Sequence, residues 1–384
     1  MVIAAAWSRV LDSGPPVAPQ ENFVPVRTAL TDMLHLSCPV IQAPMAGGGD
    51  TAELVAAVSN AGGLGSIGAA YLTPAQILER ASAVRALTTR PFGINLFAPT
   101  PSARTGAQQI EAAIEYIVPY YRELGLAEPQ PPTSASIGFD DQLSACLETD
   151  AALFSFTFGS LSHDTVERIR SQGKLVAGTA TTVREAEALA ATGVDVIMAQ
   201  GSEAGGHRGT FASEFESAMV GVMALVPQIA ETVPIPVIAS GGIMNGRGIA
   251  AALALGACGA ALGTAFLACP EAGVSEAYKK AIFSATEDET RITRAFSGRP
   301  ARGIVNRMIR DYASVPEKIL PFPLQNSLTR PLRNGASSQG RTEFLSLWSG
   351  QGVRMARRIP AAELVARLES ELIAAIDALS ALRH

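Results

Sequence analysis

The chain has 384 residues, with 30 basic and 35 acidic side chains and a formal net charge of −5. It is 48% hydrophobic and only 17% charged, which excludes intrinsic disorder. The weakly acidic balance gives no overall attraction to nucleic acid or to an anionic membrane, so neither is expected as a partner. Cys38, Cys146, Cys258 and Cys269 stand without a C-x-x-C pair. That pattern fits a reducing, cytoplasmic setting and speaks against a disulfide framework or a metal site. The apolar start from Met1 to Trp7 is short and lacks a preceding basic segment, so no signal peptide is expected. No uncharged apolar run reaches the roughly 18 residues of a membrane span.

Residues 1–22, with Gly14-Pro15-Pro16-Val17-Ala18-Pro19, read as an N-terminal arm. Eight short apolar runs follow, starting near Pro39, Leu64, Phe92, Ala152, Leu175, Val194, Pro236 and Gly259. Amphipathic stretches separate them. Asp50-Thr51 can cap a helix from Ala52 to Ala61, and Thr73-Pro74 opens one that runs to Leu87. Thr182 precedes a helix at Arg184 to Ala191, and Asn245 one at Gly248 to Leu255. Continuous apolar strands alternating with helices imply a parallel sheet covered by helices. Eight such units imply an α/β chain folded as a (β/α)8 TIM barrel.

Two interruptions stand out. The connection from Ala98 to Ala151 is long, with a helical stretch from Gln109 to Gly125 and a Pro-rich break at Pro129 to Pro132. After the eighth run the alternation stops, and the chain becomes rich in Arg, Pro, Ser and Asn before an amphipathic helix at Ala361 to Leu382. The expected organisation is an arm at 1–22, a barrel at 23–270 plus 346–384, and a smaller lid or substrate domain at 271–345, inserted after strand eight.

In such a barrel the loops after the strands build the active site. The first strand ends Gln42-Ala43-Pro44-Met45-Ala46-Gly47-Gly48-Gly49, and the third ends at Asn95. The sixth runs into Gln200-Gly201-Ser202-Glu203-Ala204-Gly205-Gly206-His207, the seventh into Ser240-Gly241-Gly242, and the eighth into Leu262-Gly263-Thr264. Glycines let backbone N–H groups approach an anion, and the last two loops are the usual phosphate position. Gly242, Gly263 and Thr264 are therefore candidate phosphate donors. A single glycine would be read as a turn, but five polar or Gly-bearing strand ends on one rim point to a ligand. Gly47-x-Gly49-x-x-Ala52 has the form of a dinucleotide fingerprint. Strand two, however, ends Ser66-Ile67-Gly68-Ala69-Ala70 without the carboxylate that fingerprint requires.

Asn95 and Gln200 can donate to and accept from a planar heterocycle, or simply cap their strands. Of the four histidines, only His207 lies in a Gly-rich loop directly after a strand. An imidazole there can serve as base or proton donor. Glu203 either orients His207 or is solvated. His35 and His163 read as structural, and Cys38 and Cys258 as small core residues.

Five blocks in this order resemble the nitronate monooxygenase family: Gln42-Ala43-Pro44-Met45, Phe92-Gly93-Ile94-Asn95-Leu96-Phe97, Gln200-Gly201-x-Glu203-Ala204-Gly205-Gly206-His207, Ser240-Gly241-Gly242-Ile243 and Leu262-Gly263-Thr264-x-Phe266. The resemblance covers roughly residues 31–360 and implies a TIM barrel holding FMN non-covalently. It puts the backbone of Ala43, Pro44 and Met45 along the flavin ring and Asn95 and Gln200 on its polar edge or ribityl chain. It puts Gly205, Gly206, Gly241, Gly242, Ala261, Leu262, Gly263 and Thr264 around the ribityl phosphate, and His207 on the substrate side as the catalytic residue. The family carries Tyr and Lys residues after strand eight where this chain has Phe322, Asn326 and Arg330. Arg330 is therefore the expected substrate-binding residue, suited to a second anionic group through paired hydrogen bonds. The implied reaction is oxidation of a nitronate, or of a nitroalkane after α-proton removal, by O2 to a carbonyl compound and nitrite. A flavin-dependent enoyl-acyl-carrier-protein reductase and a non-catalytic flavin-binding barrel are the alternatives. Nucleotide dehydrogenases fit less well, since no cysteine follows strand six. A homodimer is left open.

Overall fold

The computed structural model describes residues 26–100, 105–132 and 137–383. The expected N-terminal arm at 1–22 lies outside the described residues. The strands are β1 (Val40–Gln42), β2 (Gly65–Gly68), β3 (Phe92–Phe97), β4 (Leu153–Thr157), β5 (Leu175–Ala180), β6 (Val196–Gln200), β7 (Gly206–His207), β8 (Val237–Ser240), β9 (Gly259–Leu262), β10 (Thr290–Thr293) and β11 (Ala301–Ile304). Eight of them form one sheet in the order β1-β9-β8-β6-β5-β4-β3-β2, with every neighbouring pair parallel. Its edges meet at Leu64, whose N–H donates to the Val40 carbonyl and whose carbonyl accepts from Gln42 N–H, both at 2.9 Å. The sheet thus closes into a barrel, and each barrel strand falls on one of the eight apolar runs.

The continuous apolar character of these strands follows from burial on both faces. Ile41, Leu153, Val196, Met198 and Ile238 fill the barrel, and Leu30 and Leu34 of the short helix Ala29–Leu34 pack against its amino-terminal end. Glycine is needed there, because a Cβ on Gly259 would come within 2.4 Å of Leu30 Cδ2. The four capping residues read from the sequence each accept a backbone N–H at helices Ala52–Asn60, Pro74–Leu87, Val183–Ala190 and Gly246–Ala254. Such a cap contributes about 1 kcal/mol.

The C-terminal helix Ala361–Ser380 buries Ala361, Leu364, Val365, Leu368 and Leu372, one stripe at helical spacing. It packs on helices Gly246–Ala254 and Ala52–Asn60, and so takes the eighth place in the outer ring, between the seventh helix and the first. Glu371 accepts the Gly246 N–H at 3.0 Å in that contact.

The chain after β9 builds a cap. β10, β11 and β7 make a small antiparallel sheet, followed by helices Arg307–Ala313 and Leu324–Ser338. Their apolar faces form a second core with Ile117, Tyr120 and Tyr121. Those three belong to helix Ala107–Glu123, in the long β3–β4 connection. The cap is therefore packed from two distant stretches of sequence.

Candidate active site

At the carboxyl ends of the barrel strands lies a cavity of about 290 Å³. Its barrel side is lined by Ala43, Pro44 and Met45 after β1, Asn95 on β3, Gln200 on β6, Gly205, Gly206 and His207, Gly241 and Gly242 after β8, and Ala261, Gly263 and Thr264 at β9. Leu262 differs, being only 1% exposed with its side chain in the core between strands and helices.

The β1 loop is built by internal bonds. Gln42 is fully buried and ties β1 to β2, accepting the Ser66 N–H at 2.9 Å and donating to the Ser66 carbonyl at 3.2 Å. Asp50 does more than start a helix. Its carboxylate accepts the N–H of Met45 and of Gly68, and burial raises its pKa to about 6. The Ala43 N–H donates to Leu262, and the Ala43 carbonyl accepts from the Gln42 side chain. With the Met45 N–H also committed and Pro44 without one, the N–H groups of Ala43, Pro44 and Met45 are all accounted for within the protein.

The β6 loop carries three anchors, of which Arg208 and Glu185 are buried. Arg208 is 1% exposed and donates to the carbonyls of Gln200, Gly201 and Ala218. Glu185 accepts from Phe211 and Ala212 N–H. Glu203 neither orients His207 nor is free in solvent, because its carboxylate accepts the Val222 N–H at 3.0 and 3.1 Å. Gln200 closes the loop on itself, donating to the His207 carbonyl at 2.9 Å and accepting the Gly209 N–H at 2.8 Å. Asn95 donates to Ser155 Oγ at 2.9 Å, and its side-chain oxygen has no partner among the described residues.

His207 is half-buried, on a strand that pairs with Ala301 and Arg302 of the cap. Its Nε2 lies 2.8 Å from Ser297 Oγ. Aromatic rings of Phe158 and Trp348 stand 5.6 and 5.5 Å away, centroid to centroid. Burial, with the cations of Arg299 and Arg333 nearby, pushes its pKa down to about 3. The imidazole is therefore neutral at physiological pH.

The remaining wall comes mainly from the cap and, apart from Asn326 and Arg330, was not read from sequence. Tyr278, Asn326, Arg333, Trp348 and Gly350 line it, joined by Tyr71 after β2. Arg330 lies over the Tyr71 ring at 4.7 Å. Arg333 donates to Asn326 Oδ1 at 2.7 Å while its Nε has no partner, and burial lowers its pKa to about 10. No carboxylate is among the described lining residues. Trp348-Ser349-Gly350-Gln351-Gly352 was the available signal, a rare tryptophan beside a G-x-G. Ser297 carried none.

The rim beside β8 and β9 suits an anion. Gly241 and Gly242 have φ of +120° and +71°, and the N–H groups of Gly241, Gly242 and Gly263 find no acceptor among the described residues. A Cβ on Gly263 would meet only Ala43 Cβ, at 3.9 Å, so that position opens into the cavity. Among the described residues no group of three His, Cys, Asp or Glu could hold a metal, and no helix is long and apolar enough to cross a membrane.

The family description "nitronate monooxygenase" matches residues 27–371. A probable nitronate monooxygenase of Staphylococcus aureus (strain Newman) is 42% identical over 347 residues, covering 90% of this chain and 97% of that protein. One of the same name from Staphylococcus haemolyticus (strain JCSC1435) is 41% identical over 345 residues, covering 89% and 96%. Among solved structures, nitroalkane oxidase from Streptomyces ansochromogenes superposes with a TM-score of 0.85 at 42% identity, covering 92% of this chain and all of that one. FabK from Thermotoga maritima gives 0.73 at 28% identity, covering 93% and 99%.

Proposed function

The chain belongs to the nitronate monooxygenase family, and on that premise we propose that this oxidoreductase converts alkyl nitronates and O2 to a carbonyl compound and nitrite, with FMN as its cofactor. The observation that carries the reading is the charge of the cavity. Arg330 and Arg333 face it, and the described residues supply no carboxylate. Such a cavity favours an anionic substrate.

The residues fit FMN. The free N–H groups of Gly241, Gly242 and Gly263, with the Thr264 hydroxyl, would hold the phosphate. Gly206 and Ala261 would leave room beside it, and Asn95 would offer its amide to the polar edge. Ala43, Pro44 and Met45 would give a flat surface to the ring. Bound there, FMN supplies the electron transfer that the side chains cannot.

The chain's own part is positioning and proton control. Ser297 holds the His207 ring in one orientation. A neutral imidazole with a pKa near 3 can donate or accept a hydrogen bond but is a weak base. It suits a nitronate, whose α-proton is already gone, better than a neutral nitroalkane. Trp348, Phe158 and Phe97 keep water from the reacting end.

The test mixes flavin-loaded protein, without oxygen, with a nitronate and separately with NADPH. Bleaching of the visible band by nitronate alone is the expected result. Bleaching by NADPH alone selects the enoyl reductase reading, and no bleaching by either selects a non-catalytic flavin barrel.

A further inference from the structure

A second cavity, of about 460 Å³, opens beside the first and shares Phe158 as a wall. Thr100, Phe211, Ser213, Arg299 and Phe322 are among its other walls, and the described lining holds no carboxylate. Three features of this cavity bear on how an anion could reach His207.

The first is the cation. Arg299 is half-buried, and its guanidinium has neither a carboxylate nor a hydrogen-bond acceptor among the described residues. Burial and the neighbouring Arg294 lower its pKa to about 10, so it is still charged at neutral pH. A cation partly withdrawn from water without a counter-charge gains from an anion that joins it.

The second is the wall. The Arg299 guanidinium lies 4.0 Å from the Phe158 ring centroid and 5.9 Å from that of Phe322. Phe158 has a φ of +78°, a backbone conformation that bulky residues rarely adopt and that clusters at functional sites. Its ring stands between Arg299 and His207, 5.6 Å from the imidazole centroid.

The third is the connection to the base. The turn Ser297-Gly298-Arg299 links the two cavities. Ser297 Oγ accepts the Arg299 N–H at 3.3 Å and lies 2.8 Å from His207 Nε2.

We propose that the second cavity is an access subsite for the anionic substrate, in which Arg299 holds the nitronate oxygens before the molecule passes Phe158 to reach His207. The aromatic walls would cover the alkyl part, and Ser213 and Thr100 offer hydroxyls beside the guanidinium. This deepens the function proposed above and rests on it.

The experiment compares kcat/KM for a nitronate and for its neutral nitroalkane in the flavin-loaded parent, Arg299→Gln and Arg299→Lys. Arg299→Gln should lower the nitronate value about tenfold through KM, with a flatter dependence on ionic strength. The neutral substrate should change much less, and Arg299→Lys should recover most of the loss. A fall in kcat for both substrates would instead make Arg299 a support of the His207–Ser297 pair, and parent-like values for both variants would leave it no role; either overturns the subsite.

A second measurement separates this idea from the reaction itself. Benzoate is titrated into the flavin-loaded protein and its binding is followed by calorimetry. Weakening of about tenfold in Arg299→Gln, largely recovered in Arg299→Lys, supports the subsite even if nitronates prove not to be substrates. No binding by the parent, or parent-like binding by Arg299→Gln, overturns it.

Discussion

The proton affinity of His207 sets what it can do. Its pKa of about 3 lies below the ordinary 6.5 because burial and two guanidiniums disfavour the imidazolium. A lowered value means that the folded protein resists protonation between pH 6.5 and pH 3, so His207 stays neutral throughout that window. The pH–rate profile on a nitronate should therefore show no acid limb near pH 6.5 arising from His207. A limb there that vanished in His207→Asn would contradict the assignment. His207→Asn should keep its flavin and lose roughly tenfold or more in kcat/KM on a nitronate, the cost of one hydrogen bond to a charged group. A neutral nitroalkane, whose α-proton so weak a base removes poorly, should be a slow substrate for parent and variant alike. Arg330, stacked on Tyr71 and without an ion-pair partner among the described residues, is free to read a second anionic group. Arg330→Met should raise KM for a carboxylated nitronate tenfold or more, about 1.4 kcal/mol, with little change for an uncharged one. Equal effects on both substrates would show that Arg330 does not discriminate between them.

Single elements divide into those that hold the ligand and those that hold the loops. Gly263 opens into empty space, so Gly263→Val should fold normally yet bind FMN poorly; absorbance per protein after purification reports this. Thr264→Val is less clean, because Thr264 Oγ1 also accepts the Gly350 N–H at 3.0 Å. Asp50 belongs to the second group. Its raised pKa of about 6 means that its contribution to stability is full below pH ~3.9, the ordinary aspartate value, and is lost as pH rises through 6. Asp50→Asn keeps an acceptor for the Met45 and Gly68 N–H groups without burying a charge. It should melt at or above the parent temperature at pH 8, and the difference should shrink toward pH 4. Asp50→Ala leaves both donors unmet and should cost about 2 kcal/mol or more.

The elements also explain what the sequence disclosed. Strands, caps and rim glycines were legible because each rests on local rules: apolar runs, a polar cap before a helix, a glycine where backbone must approach a ligand. Asp50 beside Thr51 looked like a helix start, and only the folded loop reveals its bonds to Met45 and Gly68. Ser297 was invisible, since nothing in a serine 90 residues away marks a partner for His207. The two-residue β7 has no periodicity to detect, and the cap's contribution to the site depends on packing between segments with no shared pattern.

At the scale of the whole molecule, the barrel and cap interlock through glycine. A Cβ on Gly205 would come 2.5 Å from Gly350 N, and one on Gly350 would come 2.7 Å from the Glu203 carbonyl. Gly350→Val should therefore wedge the cap off the β6 loop, cost on the order of 1–3 kcal/mol, and lower both the melting temperature and flavin retention. A variant that melts and binds FMN like the parent would refute the interlock. The same contact bears on biogenesis. As the chain leaves the ribosome, the glycines of β8 and β9 emerge well before Gly350, and His207 must wait for residues 301–302 to gain its strand partner. The barrel can begin to condense while the pocket still lacks a wall. On the function proposed above, cofactor loading would then belong to the final stage of synthesis, and a ribosome stalled before residue 350 would display a nascent barrel unable to keep a flavin.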